Sequence, residues 1–332
     1  MPTPPNPHNA KAAPFAVAPM LDWTDRHFRY FARLLSRHCT LYSEMVTTGA
    51  LLYGDAQRHL DFDASENPLV LQLGGSNPQD LARCAKMGEQ WGYSEINLNV
   101  GCPSDRVQNN MIGACLMAHP QLVADCVRAM RDALSIPVTV KHRIGINGHD
   151  SYAELADFVG TCAAAGCQHF IVHARIAILE GLSPKENRHV PPLRYEVAAQ
   201  LRRDFPDLQF TLNGGLQTLD ECRQHLHTFD GVMLGRAVYA NPWLLREVDG
   251  QIYGQPDHAP ASRSEVMHKM RSYMQQHVAR GGKVTHISRH LLGLAQGFPG
   301  ARRFRQLLSA DIHRADNPLD VIDQAIDVLQ GR

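Results

Sequence analysis

The stretch Glu95-Ile-Asn-Leu-Asn-Val-Gly-Cys-Pro103 decides how this chain folds. Its first part is a short apolar run and reads as a strand over Glu95–Asn99; the remainder is a polar tip. Amphipathic stretches flank it, with a helix predicted over Pro78–Trp91 before it and another over Pro120–Leu134 after it. Moving outward, the same alternation recurs along most of the chain. Strands are predicted at Phe15–Ala18, Leu41–Met45, Leu69–Leu73, Pro137–His142, His169–His173, Gln209–Asn213 and Gly231–Leu234, and further helices at Tyr152–Ala165 and Leu219–Leu226. Strands that alternate with helices pair in parallel through crossover connections. Eight such units in roughly 250 residues predict an α/β fold of the TIM (β/α)8 barrel type. The rival is an open doubly wound sheet, which usually carries a glycine-rich turn after its first strand. This chain has no Gly-x-Gly anywhere.

Beyond about residue 260 the strand pattern stops. Ser262–Arg280, Lys283–Ala295, Ala301–Ala310 and Pro318–Leu329 read as helices, punctuated by Gly281-Gly282, Gly297-Phe-Pro-Gly300 and Asn317-Pro318. The expected organisation is a disordered tail over residues 1–12, a barrel over 13–258 and an all-helical domain over 259–332.

Composition narrows the function. Of 332 residues 44% are apolar and 20% charged, an ordinary globular balance. Lys plus Arg and Asp plus Glu both number 33, which excludes a uniformly basic coat for nucleic acid such as DNA. The distribution is uneven. Residues 1–262 hold 22 basic and 27 acidic side chains, net −5; residues 263–305 hold nine basic and one acidic, Glu265, net +8; residues 306–332 hold two basic and five acidic, net −3. No apolar run approaches the roughly 18 residues of a membrane helix. The opening Met1-Pro-Thr-Pro-Pro-Asn-Pro lacks the character of a signal peptide. Eight cysteines without Cys-x-x-Cys spacing or a Cys/His cluster point to a reducing cytoplasm and to no metal site.

In a TIM barrel the C-terminal strand ends carry the active site. Here those ends are polar: Pro19-Met20 after the first strand, Gln72 and Gly74-Gly75 at the third, Asn97-Leu-Asn99-Val-Gly-Cys102-Pro103 at the fourth, Lys141-His-Arg143 at the fifth, His173-Ala-Arg175 at the sixth, Asn213-Gly214-Gly215 at the seventh and Gly235-Arg236 at the eighth. Taken singly, such residues are more often a buried small thiol, a solvated lysine, a satisfied histidine or a plain turn. Together they place a cation, an imidazole, an amide and a thiol at matching ends of different strands. The last two loops read as a phosphate site, with glycines that let backbone N–H groups approach and Arg236 adding a charged fork. Lys141 would favour negative charge on a bound ring. A phosphorylated cofactor follows; FMN satisfies both demands, without being the only one that does.

These residues resemble the tRNA-dihydrouridine synthases over nearly the whole chain, through Ala18-Pro-Met20, Gln72-Leu-Gly74, Asn97-Leu-Asn-Val-Gly-Cys-Pro103, Lys141-x-Arg143, His173-Ala-Arg175, Asn213-Gly-Gly215 and Gly235-Arg236. Gly181-Leu-Ser-Pro-Lys-Glu-Asn-Arg188 followed by Pro191-Pro-Leu resembles the A-type subfamily, which acts on uridine 20 and 20a of the D-loop. Where that pattern has a Lys and a Trp after His-Ala-Arg, this chain has Ile176 and Ile178. The resemblance implies reduction of the uracil C5–C6 double bond, with NADPH reducing FMN, hydride passing from flavin N5 to C6 and a proton from Cys102 to C5. It implies that Pro19, Met20, Leu21, Gln72, Lys141 and His173 meet the flavin and that Asn213, Gly214, Gly215, Gly235 and Arg236 hold its phosphate. Asn99 and Arg143 would meet the target nucleotide. Lys185 and Arg188, with Arg302 and Arg305 in the basic segment, would contact tRNA. The lack of acidic residues between Glu265 and Asp311 favours that use of Arg289, Arg302, Arg303 and Arg305, all expected on helices. A monomer is expected. Two other readings compete: an FMN barrel acting on a free pyrimidine or other small molecule, which has no use for the basic tail, and a non-enzymatic RNA-binding module, which has no use for Cys102, Lys141 or the phosphate loops.

Overall fold

The structure, a computed structural model, describes residues 11–104, 111–255 and 260–332. The first ten residues of the expected tail, and the expected boundary at 258/259, lie outside the described residues. Eight parallel strands form one sheet: β1 Phe15–Val17, β2 Leu41–Thr47, β3 Leu69–Gly74, β4 Glu95–Val100, β5 Val138–Arg143, β6 His169–His173, β7 Gln209–Asn213 and β8 Gly231–Leu234. Their order is β1-β8-β7-β6-β5-β4-β3-β2. The ring closes where Thr40 bridges Ala16: Thr40 N donates to Phe15 O at 3.0 Å and Val17 N to Thr40 O at 2.9 Å. This is the expected TIM barrel.

Local chemistry sets the helix ends. Helix Pro78–Trp91 starts with the Asn77 side chain accepting from Asp80 N, has Pro78 in its first turn, and stops at Gly92, whose φ of 95° is left-handed. Tyr152–Ala164 and Leu219–His225 open with capping boxes, Ser151 with Glu154 and Thr218 with Glu221.

Strand residues alternate between two environments. The outward set, such as Leu71, Leu98, Val140, Phe170 and Leu212, is fully buried in the main core beneath the helices. The inward set is mostly polar. Its apolar members, Ala16, Ala18, Tyr42, Val70, Ile171 and Met233, form a small separate cluster inside the barrel.

The C-terminal part is helical, with Arg263–Ala279, Ala301–Ser309 and Pro318–Leu329 enclosing Met270, Met274, Phe304, Leu307 and Ile322. The expected helix Lys283–Ala295 is a correction: only Val284–Ser288 is α-helical, and Arg289 is its cap and not a helix residue. Short turns follow, with Leu291 N donating to Ser288 O at 3.0 Å and Leu294 N to Leu291 O at 2.9 Å. The cause is tertiary. Gly293 lies against the barrel, where a Cβ would come within 2.6 Å of Ala240 O, so the barrel wall shapes this segment. Tyr30 stacks on Tyr273 across the same junction, at 4.1 Å between ring centroids. No helix among the described residues is long and apolar enough to cross a membrane.

Candidate active site at the barrel mouth

The turn after β4 is held by one side chain. Asn99 Oδ1 accepts from Gly101 N at 3.1 Å and from Cys102 N at 3.0 Å. The Asn99 amide nitrogen donates to Gln72 Oε1 at 2.8 Å. The carbonyl of Cys102 accepts from Ala114 N at 2.9 Å. Gly113, at φ 84°, makes this possible, since a Cβ there would sit 2.4 Å from Cys102 O. Cys102 is thus clasped from both sides and remains half-exposed at the mouth. Sequence reading missed Gly113 and Ala114, which no motif marks.

Beside this turn lie the cations. Asn99 pairs in register with Lys141, and Arg143 with His173 and His173 with Asn213 one inward position further along, so four strands present these side chains in two adjoining rows. Burial, then Arg143, lower the Lys141 ammonium to about 7, against an opposing pull from Cys102. Burial, then Arg143 and Lys141, hold the His173 imidazole well below its usual range, so it is neutral. Arg143 is buried and acts as a strut. Its Nε donates to Gly101 O at 3.1 Å, and its Nη1 to Asn187 O at 3.0 Å and Ile176 O at 3.3 Å. It therefore ties the Cys102 turn to the loop after β6. That loop is organised by Asn187, also missed from sequence: fully buried, its side chain accepts from Ile178 N at 2.7 Å and donates to Ile178 O at 2.9 Å and Leu182 O at 3.1 Å. Ile176 packs against the core, and both isoleucines lend backbone atoms to this network.

The turns after β7 and β8 sit next to it. Gly214 and Gly215 have φ of 112° and 77°, and a Cβ would meet the His173 ring at 2.5 Å and Leu193 at 2.4 Å respectively. Asn213 donates from Nδ2 to Met233 O at 2.8 Å and so joins β7 to β8. Arg236 donates to Arg188 O at 3.2 Å and contacts His189. Arg175 reaches the Pro191 carbonyl. Buried Nε atoms of Arg175 and Arg188 have no hydrogen-bond partner among the described residues. Burial, then Arg188 and Arg175, lower the Arg236 guanidinium. The turn after β1 completes the rim: Pro19 and Met20 are partly buried and Leu21 is 67% exposed, while a Cβ on Gly235 would meet Met20 Sδ at 3.2 Å. Lys141, Arg143, Arg175, Arg188 and Arg236 thus converge with no carboxylate paired to any of them among the described residues.

The basic tail is less basic than its sequence. Arg303 pairs with Asp311 at 2.6 Å, Arg289 with Asp25 at 2.7 Å, Lys269 with Glu265 at 2.8 Å, and Arg271 with Asp323 through two nitrogens. This corrects the expectation of a segment without acidic partners: folding brings Asp25 from the barrel and Asp323 from the last helix to it. Arg302 and Arg305 are exposed and carry no ion pair among the described residues. Lys185 is exposed as well, whereas Arg188 turns partly inward.

Fold and mouth together define an α/β barrel whose C-terminal strand ends gather a thiol and several cations. Residues 16–330 match the family described as dihydrouridine synthase (Dus), and the chain belongs to that family of oxidoreductases. It is 69% identical over 329 residues to the tRNA-dihydrouridine(20/20a) synthase of Pseudomonas putida, covering 98% of each chain. It is 67% identical over 331 residues to that of Pseudomonas aeruginosa, covering 99% of each. To the enzyme of the same name from Escherichia coli (strain K12) it is 55% identical over 319 residues, 96% of this chain and 92% of that protein.

Proposed function

We propose that this protein reduces uridine 20 and 20a in the D-loop of tRNA to 5,6-dihydrouridine, with FMN as its cofactor and NADPH as the reductant. The observation that carries this reading is the pairing at one mouth of a half-exposed thiol, Cys102, with five cations that have no described counter-charge. A bound phosphate and an electron-rich ring would supply that counter-charge. The residues fit FMN. Gly214 and Gly215 bring the backbone of this turn against His173 and Leu193, closer than a side chain would allow, and Arg175 and Arg188, whose Nε atoms have no hydrogen-bond partner among the described residues, lie near Arg236. Asn213, Gly214, Gly215, Gly235 and Arg236 would hold the phosphate, and Pro19, Met20, Leu21, Gln72, Lys141 and His173 the ring. FMN, when bound, supplies the hydride, from N5 to uracil C6.

This chain's own residues do the rest. The neutral His173 adds no positive charge beside Lys141, and Lys141 favours an anionic ring. Cys102 would deliver a proton from Sγ to C5 of the base. A positioned thiol S–H can serve as the general acid for such a step. Asn99 and Arg143 bound the nucleotide pocket; both also bond the backbone of the Cys102 turn, so they set its shape as well as touching the base. A uridine in a loop costs little to unstack, which suits a target that must enter a barrel mouth. Lys185, Arg188, Arg302 and Arg305 contact tRNA phosphates and set which uridine arrives. The helical part over 259–332 is thereby a tRNA-binding domain, and the enzyme is a cytoplasmic monomer, in keeping with eight free cysteines.

Cys102→Ala tests the reading. The variant should keep bound flavin and its reduction by NADPH but lose dihydrouridine formation by about 10²–10⁴-fold, the usual cost of a positioned acid. Near-normal turnover on tRNA would remove Cys102 from the chemistry.

A further inference from the structure

The inward faces of β3, β4 and β5 carry a continuous chain of side-chain hydrogen bonds that ends at Cys102. Cys102 N donates to Asn99 Oδ1 at 3.0 Å, Asn99 Nδ2 to Gln72 Oε1 at 2.8 Å, and Gln72 Nε2 to Asn97 Oδ1 at 2.8 Å. Asn97 Nδ2 then donates to Thr139 Oγ1 at 2.9 Å, and the Thr139 hydroxyl to Glu95 Oε1 at 2.6 Å. Tyr42 Oη also reaches Glu95 Oε1, at 3.4 Å. Glu95, Asn97 and Asn99 occupy alternate positions of one strand, so all three point inward; Gln72 and Thr139 are the register partners of Asn97 on either side. Gln72, Asn97 and Thr139 are all at most 2% exposed, so water is not a substitute partner.

Such a chain has a direction. A primary amide donates at one end and accepts at the other, so the orientation of each amide dictates the next. Thr139 can accept from Asn97 and still satisfy its own proton because Glu95 accepts that proton. The order runs from Glu95 at the N-terminal end of the barrel to Asn99 at the other. There it leaves an oxygen, and not an NH2 group, facing the two backbone N–H groups of the Cys102 turn. Reversal of Asn99 would set donor against donor and release that turn. From this geometry we infer that Glu95, Thr139 and Asn97 are positioning residues, a buried relay that orients Asn99 and so fixes Cys102 for proton delivery. The relay concerns the geometry of the turn; its importance for turnover rests on the proposed role of Cys102.

The test uses the full-length purified enzyme, with Thr139→Val as an isosteric break and Thr139→Ser as the restoring variant. Two quantities are read: the rate of tRNA reduction, and the rate at which iodoacetamide labels each cysteine, followed by peptide mass spectrometry. Thr139→Val should lower tRNA reduction about ten- to a hundred-fold, as small displacements of a reacting group do. It should label Cys102 several-fold faster, while the six buried cysteines stay protected. Thr139→Ser should restore both values, and Glu95→Gln, which keeps an acceptor oxygen, should resemble wild type. Wild-type labelling and turnover in Thr139→Val would overturn the relay. So would equal acceleration at the buried cysteines, since the effect would then be general loosening, or failure of serine to restore. Should Cys102→Ala retain turnover, the role of the thiol as acid falls, while the labelling result still decides the relay.

Discussion

Burial lowers both the Lys141 ammonium and the Arg236 guanidinium. A lysine lowered to about 7 carries its charge below that pH and loses it above. Affinity for anionic FMN should therefore fall as the pH is raised from about 6 to about 8.5, and binding near neutrality should take up a proton, because the ligand favours the charged form. Calorimetry in two buffers of different ionisation heat measures that uptake. Lys141→Met should flatten the pH dependence, and a wild-type profile in that variant would assign the proton to another group. Arg236 differs in that its ligand partner would be the phosphate alone. Arg236→Ala should weaken FMN by about 10–100-fold, the worth of a charged hydrogen bond, and riboflavin hardly at all. Equal losses for both would place the phosphate elsewhere. These two residues stand out in sequence because a strand end is an improbable place for an unpaired cation. Asn187 and Gly113 do not stand out, because their importance lies in the backbone atoms they meet.

At the scale of elements, the loop after β6 and the helix Ala301–Ser309 carry the cations proposed to meet RNA. Both pairs, Lys185/Arg188 and Arg302/Arg305, share a three-residue spacing, but their settings differ. Arg302 and Arg305 project from an exposed helical face, while Arg188 is partly enclosed by the loop. Neutralising Arg302 and Arg305 should weaken tRNA binding and reduce the slope of log affinity against log salt by roughly 0.7–0.9 per lost phosphate contact, leaving flavin reduction by NADPH untouched. Neutralising Lys185 and Arg188 should in addition loosen the choice of uridine, seen in a map of modified positions. If the tail variant binds tRNA like wild type at every salt concentration, its basic face is only solvated surface. The free small-molecule alternative predicts that same indifference to salt.

The whole molecule depends on how the helical part seats on the barrel. Asp25 caps helix Arg26–Leu35 through His27 N at 2.9 Å and Phe28 N at 3.0 Å, and also accepts from Arg289 at 2.7 Å and His290 Nε2 at 3.0 Å. Burial works against its charge, but His290 and the cap bonds outweigh that and hold the carboxyl below its ordinary range. His27, against Tyr273 and His277, is lowered to about 3, chiefly by burial and despite Asp25. A folded histidine at about 3 against about 6.5 unfolded binds fewer protons than the unfolded chain between those values. Its contribution is therefore complete above about pH 6.5 and declines as the pH falls toward about 3. Urea midpoints should drop over that window, and His27→Phe should make the drop shallower; an unchanged slope would show that other groups control it. Asp25→Ala should cost about 1–3 kcal/mol through the lost cap and charged hydrogen bonds, and should split thermal unfolding into two steps as the helical part loosens first. A single transition at the wild-type temperature would mean that the Tyr30–Tyr273 stack and its neighbours hold the junction unaided.

The order of elements, the barrel and the ring of polar strand ends follow from the sequence alone. Period, strand length and turn chemistry are local properties, and Phe15, Leu69 or Pro78 carries them wherever the chain goes. The thiol, the cations and the glycine turns were legible for the same reason: each is unusual for its element. What remained depended on contacts between distant residues. The shortened helix after Lys283 follows from Gly293 meeting Ala240 O, and the neutralisation of Arg289 and Arg271 from Asp25 and Asp323 arriving from other elements. The direction of the Glu95–Thr139–Asn97 chain likewise exists only once three strands stand in register, because a hydrogen bond has no orientation until both partners are in place.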